Sequence, residues 1–323
     1  MRKAIPVIIG AAIIGIVAAI AVSQSTQIPQ EESKQPAMQG SKIKVIASFY
    51  PLYEFSKNVG GQLADVSTFT PIGIEPHDWE PSTGDLLELK QADIFVYNGA
   101  GMEPFVKKIV DSGEYQSVLF IETAREIELI KNENEEHADE GDELGHDLVY
   151  DPHIWLDPVL AKHQVETIKN AMIEADPNNA QYYEENAAAY VAKLDALDSK
   201  ITAELADCKK DTIVTFHTAF SYFANRYDIK TFALSGIAPE SEATASELRE
   251  TVDYIKENDI NVIFAEDLID PKLVNVLADE AGAQVLMLSP LEGLTKEELA
   301  SGITYIDKME ENLQNIKIAL ECQ

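Results

Sequence analysis

The stretch KIKVIASFYPLYEFSKNVGGQLADVSTFTPI, Lys42 to Ile72, decides the fold. It opens with an apolar strand pattern, passes through PLYEFSKNVGG, a helical pattern closed by glycine, and returns to a strand pattern in ADVSTFTPI. The alternation continues with STGDLLELKQA as a capped helix, then DIFVYNG, EPFVKKIVDSG and SVLFIET. A second series begins at DTIVTFH and runs through TAFSYFANRY, IKTFALSGI, SELRETVDYIKEN, NVIFAED, PKLVNVLADEAG and AQVLMLSP to a last helix, TYIDKMEENLQNIKIALEC. Strands alternating with helices imply parallel sheets covered on both faces, so the expected class is α/β with two lobes, each a parallel sheet flanked by helices. Between the lobes, Ala180 to Ala206 is rich in Ala, Glu, Leu and Lys without Pro or Gly, which predicts one backbone helix of about 40 Å. The near absence of Gly, Pro and Ser there predicts little movement between the lobes.

Outward from this frame, the expected boundaries are an N-terminal lobe over 42–165 with an acidic loop at 131–148, a connecting region over 166–207 and a C-terminal lobe over 208–323. Residues 1–22 join Met-Arg-Lys to a run from Ala4 to Val22 with no charged side chain, which is expected to be a signal peptide or an N-terminal membrane anchor, a transmembrane helix in the second case. Residues 23–41 are rich in Gln, Ser, Glu and Pro and are expected to be a flexible linker. The protein is therefore expected outside the cytoplasm, tethered to the outer face of the cytoplasmic membrane, secreted or periplasmic. The run carries no cysteine, which argues against lipid attachment there. The two cysteines, Cys208 and Cys322, could in an exported chain form one disulfide or remain free thiols.

The chain of 323 residues has 46% hydrophobic residues, enough for a core in each lobe. Lys and Arg number 25 against 56 acids, a formal charge of −31 that repels nucleic acid and favours cationic ligands. Three of the six histidines stand where a strand gives way to a helix: His77 in GIEPHDWEPS, His153 in DPHIWLDP and His217 ending DTIVTFH. Ligands bind in the crevice outside the carboxyl ends of parallel strands, so these loops should line one cleft. Converging imidazoles suit zinc better than magnesium or calcium. An oxygen donor would complete a tetrahedron, and the loop LSPLEGLT offers Glu292, with Ser289 a weaker donor and Glu266 and Asp267 in the preceding loop.

These motifs together resemble the zinc and manganese solute-binding proteins of ABC importers, the ZnuA-like family, from about Lys42 to the C-terminus. The matching residues are Glu75-Pro76-His77, the DPHIWLDP loop at 151–158, Phe216-His217 with Phe220 and Tyr222, and Ser289-Pro290-Leu291-Glu292. The resemblance implies two α/β lobes joined by a long helix with the metal between them. His217 stands where manganese carriers have glutamate, which implies the zinc branch. Glu292 is then implied as fourth ligand, with Ser289 or water as alternatives. The implied function is capture of Zn2+ for an ABC permease and its ATPase subunit, by a monomer associated with the membrane through its N-terminal segment. A manganese or iron carrier is the alternative.

Asp78, Asp157 or Glu266 could hold the far nitrogen of an imidazole, although Asp157 could equally cap a helix. Trp79 and Trp155 are expected to pack near the cleft, and His163 to be structural or exposed. Asn132–Asp147 holds eight acids with His137 and His146, a possible metal-collecting loop, although a solvated loop is the preferred reading. A zinc hydrolase finds no His-Glu-x-x-His helix, nucleophile elbow or phosphate loop in support, so no enzyme is expected. An adhesin with a structural metal would need that metal to fold.

Overall fold

The first lobe is built on β1 (Ile43–Ala47), β2 (Ala64–Thr68), β3 (Ile94–Tyr97) and β4 (Leu119–Glu122), in the order β2-β1-β3-β4 with every pairing parallel. The second is built on β5 (Thr212–Thr215), β6 (Lys230–Ala233), β7 (Val262–Ala265) and β8 (Gln284–Met287), in the order β6-β5-β7-β8, again all parallel. The computed structural model describes residues 42–132, 149–236 and 245–323. The expected signal or anchor, the linker, most of the acidic loop, His137 and His146 lie outside them. Among the described residues, no helix is long and apolar enough to cross a membrane.

The helices begin where local chemistry starts them. In α1 (Tyr50–Gly60) a proline occupies the first turn, and Gly61 beyond the end takes φ 51°, a left-handed conformation that glycine adopts without a Cβ clash. Capping boxes start α2 (Thr83–Leu89) from Ser82 and Asp85, α9 (Lys296–Ser301) from Thr295 and Glu298, and α10 (Tyr305–Ala319) from Thr304 and Asp307. The remaining helices are α3 (Pro104–Asp111), α4 (Pro158–Ala175), α6 (Ser221–Tyr227), α7 (Ala245–Glu257) and α8 (Lys272–Ala281). The short helix α9 was not foreseen in the sequence, because six residues are too few to show a period.

The joining helix is α5 (Ala180–Leu205), 26 residues that rise about 39 Å. It buries Tyr183, Ala187, Tyr190, Leu194, Leu197 and Ile201, one stripe at alternating four- and three-residue steps. One hydrophobic cluster holds Val45 and Phe55 of the first lobe, Leu194 of α5, and Ile213, Phe264 and Tyr305 of the second. Each sheet packs a further cluster on its other face, around Phe95 in the first lobe and Ile263 in the second. The lobes are thus two sheets on one shared core, the two-lobed α/β class with a long backbone helix expected from the alternation. Cys208, just past α5, and Cys322, just past α10, form a disulfide.

Candidate metal centre

Four chain segments that leave the carboxyl ends of their sheets converge on one point. His77 lies between β2 and α2, His153 between β4 and α4, His217 between β5 and α6, and Glu292 between β8 and α9. One donor atom from each lies within 4.8 Å of all the others. His77 Nε2 is 3.3 Å from His153 Nε2 and 3.3 Å from Glu292 Oε1. His153 Nε2 is 3.1 Å from the same oxygen, and His217 Nε2 is 3.2 Å from His153 Nε2 and 3.3 Å from Glu292 Oε1. A regular tetrahedron with bonds of about 2.0–2.1 Å has six edges of about 3.3–3.4 Å; five separations match these edges closely, and the sixth, His77 to His217, lies within 4.8 Å, so the four donors can surround one zinc-sized ion.

The lone pairs face inward because two imidazoles are held from behind. His153 Nδ1 donates to Asp151 Oδ1 at 2.7 Å, and that oxygen also accepts the His153 backbone N–H at 2.9 Å. His217 Nδ1 donates to both oxygens of Glu266, at 2.7 and 2.8 Å, and the His217 N–H reaches the same carboxylate at 3.1 Å. A carboxylate only accepts, so Nδ1 carries the proton in both rings and Nε2 is left as the donor to a metal. His153, His217 and Glu292 are no more than 3% exposed, so nearby solvent cannot screen them.

Burial sets the electrostatics and the neighbours modify it. Burial pushes the His77 imidazole below its usual range. Burial also opposes charge on His153 and His217, but Asp151 and Glu292 outweigh it for His153, and Glu266 and Glu292 outweigh it by more for His217. Both are left above the usual range, His217 well above. Glu292 resists its own burial through His217, His153 and His77, which hold its carboxyl well below the usual range. Glu75, half-buried beside Glu292, is pushed up to about 10 by its desolvation and by the charge on Glu292. The donors that meet at the centre are thus one carboxylate and three imidazoles, a set that suits a divalent cation.

The other sequence expectations divide. Glu266 stands behind an imidazole. Asp157 does not: its carboxylate caps α4 by accepting Val159 N–H and pairs with Arg226 Nε at 2.7 and 2.8 Å. Asp78 does not either, because its side chain is exposed to solvent. The Ser289 hydroxyl accepts the Leu291 N–H at 3.2 Å. His163 reaches the Arg125 carbonyl, Trp79 packs on Phe69 and Phe105, and Trp155 is fully buried.

Asp151 and Glu75 were missed in the sequence, yet a signal was there. Two of the three histidine loops, those of His77 and His153, carry an acid, a proline and a histidine in succession, and in both the acid accepts the histidine N–H at 2.9 Å. The shorter Asp151 side chain also meets the imidazole of its own histidine, whereas Glu75 lies beside Glu292.

Residues 45–319 match the model of the ZnuA family, described as zinc-uptake complex component A, periplasmic. The chain belongs to the ZnuA family. It is 38% identical over 282 residues to the high-affinity zinc uptake system protein ZnuA of Bacillus subtilis, covering 87% of this chain and 88% of that protein. It is 39% identical over 277 residues to the zinc-binding lipoprotein AdcA of Streptococcus pneumoniae, covering 85% of this chain but only 55% of AdcA. The Zn(II)-bound ZnuA-like domain of Streptococcus pneumoniae AdcA superposes with a TM-score of 0.75 at 36% identity, over 87% of this chain and 100% of that domain.

Proposed function

We propose that the protein captures zinc ion outside the cytoplasmic membrane and hands it to an ABC-type permease whose ATPase drives import. The observation that carries this reading is the set of five donor separations of 3.1–3.3 Å among three imidazoles and one carboxylate. In this reading His77, His153, His217 and Glu292 each give one atom to Zn2+. Ser289 gives none, because its hydroxyl already serves the turn. Imidazole-rich tetrahedral sites suit zinc, whereas manganese favours more oxygen donors and higher coordination. The zinc names of the related proteins support the same metal.

With four protein donors on the ion, no coordination position is left for a substrate, which supports carriage rather than hydrolysis. Residues 1–22 then serve as export signal or anchor and 23–41 as tether to a monomeric carrier. The test is to strip the metal from the purified protein and offer equal zinc and manganese, reading bound metal by native mass spectrometry. One zinc per chain, on a protein that stays folded without it, is the expected result. Equal loading, or unfolding of the metal-free protein as a structural site demands, would overturn the proposal.

A further inference from the structure

Glu292 sits on a turn that does not hold its shape unaided. Leu291, immediately before it, has φ 57°, a left-handed conformation unfavourable for a branched side chain. The second lobe supplies two restraints: Asn312 on α10 holds Ser289 by both its N–H, at 2.8 Å, and its carbonyl, at 2.7 Å, and the Ser289 hydroxyl accepts the Leu291 N–H. A third comes from the His153 loop of the first lobe. Trp155, two residues beyond His153, donates its indole Nε1–H to the Pro290 carbonyl at 2.7 Å. The Trp155 carbonyl accepts the Tyr305 hydroxyl at 2.5 Å, so the residue is fixed at both ends to α10 and to the Glu292 turn. Its ring lies 5.1 Å from the His153 ring and makes an edge contact with Phe49 at 4.7 Å.

We propose that Trp155 is a positioning residue for zinc: it clamps the Glu292 turn of one lobe to the His153 loop of the other, so that the carboxylate is already in place when the ion arrives. One short segment thus supplies a donor and fixes a second donor from across the cleft. Without the indole N–H, the buried Pro290 carbonyl loses its partner and the strained turn is free to relax. Zinc must then order the turn as it binds, and affinity falls by the fraction of molecules in which the turn is out of place.

The inference rests on Glu292 being a zinc donor, and a double-mutant cycle tests the two separately. Trp155→Phe keeps an aromatic ring beside His153 and Phe49 and removes the donor together with part of the indole's buried volume, a packing loss common to both backgrounds of the cycle. It is expected to weaken zinc about fivefold, the worth of one buried hydrogen bond. In the Glu292→Ala background the same change is expected to do nothing, because the residue being positioned is gone. With saturating cobalt(II) in place of zinc, the visible absorption of Trp155→Phe is expected to match that of the unaltered protein, because the bound ion still draws Glu292 into place, whereas Glu292→Ala changes it.

Equal losses in both backgrounds, or no loss in either, would overturn the proposal and leave Trp155 as core packing. If Glu292→Ala itself leaves zinc affinity unchanged, the donor assignment fails first and the clamp with it. Should Trp155→Phe not fold, Tyr305→Phe loosens the same segment at its other end, and its effect on zinc must likewise vanish when Glu292 is absent.

Discussion

Glu266→Gln is expected to weaken zinc binding by about 100-fold, and Asp151→Asn by only about tenfold, although each exchanges one buried carboxylate for its amide. Glu266 aims both oxygens at the single proton of His217 Nδ1, at 2.7 and 2.8 Å. Glutamine keeps one acceptor and turns an NH2 group toward that N–H. The imidazole escapes the clash by moving its proton to Nε2, the atom that faces His153 and Glu292, and a protonated Nε2 cannot bind metal. Asp151 instead uses Oδ1 alone for both His153 contacts, while its Oδ2 is buried with no hydrogen-bond partner among the described residues. Asparagine can keep its carbonyl at the Oδ1 position, so the tautomer survives and mainly the charge is lost. The two losses correspond to about 2.8 and 1.4 kcal/mol. Zinc titration against a chromogenic chelator at neutral pH measures both, with circular dichroism of the metal-free proteins confirming the fold. Equal losses, or a larger loss for Asp151→Asn, would refute the tautomer argument.

Glu292→Ala removes a proposed donor rather than its support and is expected to exceed the Glu266→Gln loss in the same titration. Zinc affinity is expected to fall with acidification from above the ordinary imidazole range of about 6.5. His217 and His153 hold their protons to higher pH than free imidazole and must release them to bind metal, so raised values move the loss to higher pH; apparent Kd against pH reads this, and an onset below about 6.5 would count against it. Replacing Cys208 and Cys322 by serine opens a link spanning 114 residues and is expected to lower stability by about 4–5 kcal/mol, seen in denaturant unfolding, while zinc affinity stays within about twofold.

The alternation of strand and helix was legible because parallel strands buried on both faces read as apolar runs, such as IFVY in β3 and VIFA in β7. The convergence of the three histidine loops was legible because strand ends fix where loops emerge, whereas Glu292 was singled out from Ser289, Glu266 and Asp267 only by the resemblance. Which groups stand behind the imidazoles was not, since that depends on side-chain direction. Asp78 and Asp157 follow their histidines and turn to solvent and to a helix start, whereas Asp151 precedes its histidine across a proline and folds back on it. Trp155 was legible as a core residue, but its partner, Pro290, is 135 residues away.

The core shared by the two lobes has a calorimetric consequence. Val45, Leu194 and Phe264 belong to one cluster, so neither sheet can lose its packing while the other keeps it. The metal-free protein should therefore melt in one transition, with calorimetric and van't Hoff enthalpies in agreement. Zinc at the proposed site, whose donors come from both halves, should move that whole transition upward with the logarithm of free zinc rather than split it. The ion then acts as a rivet through one block of material, and each turnover of the carrier begins and ends with that block intact.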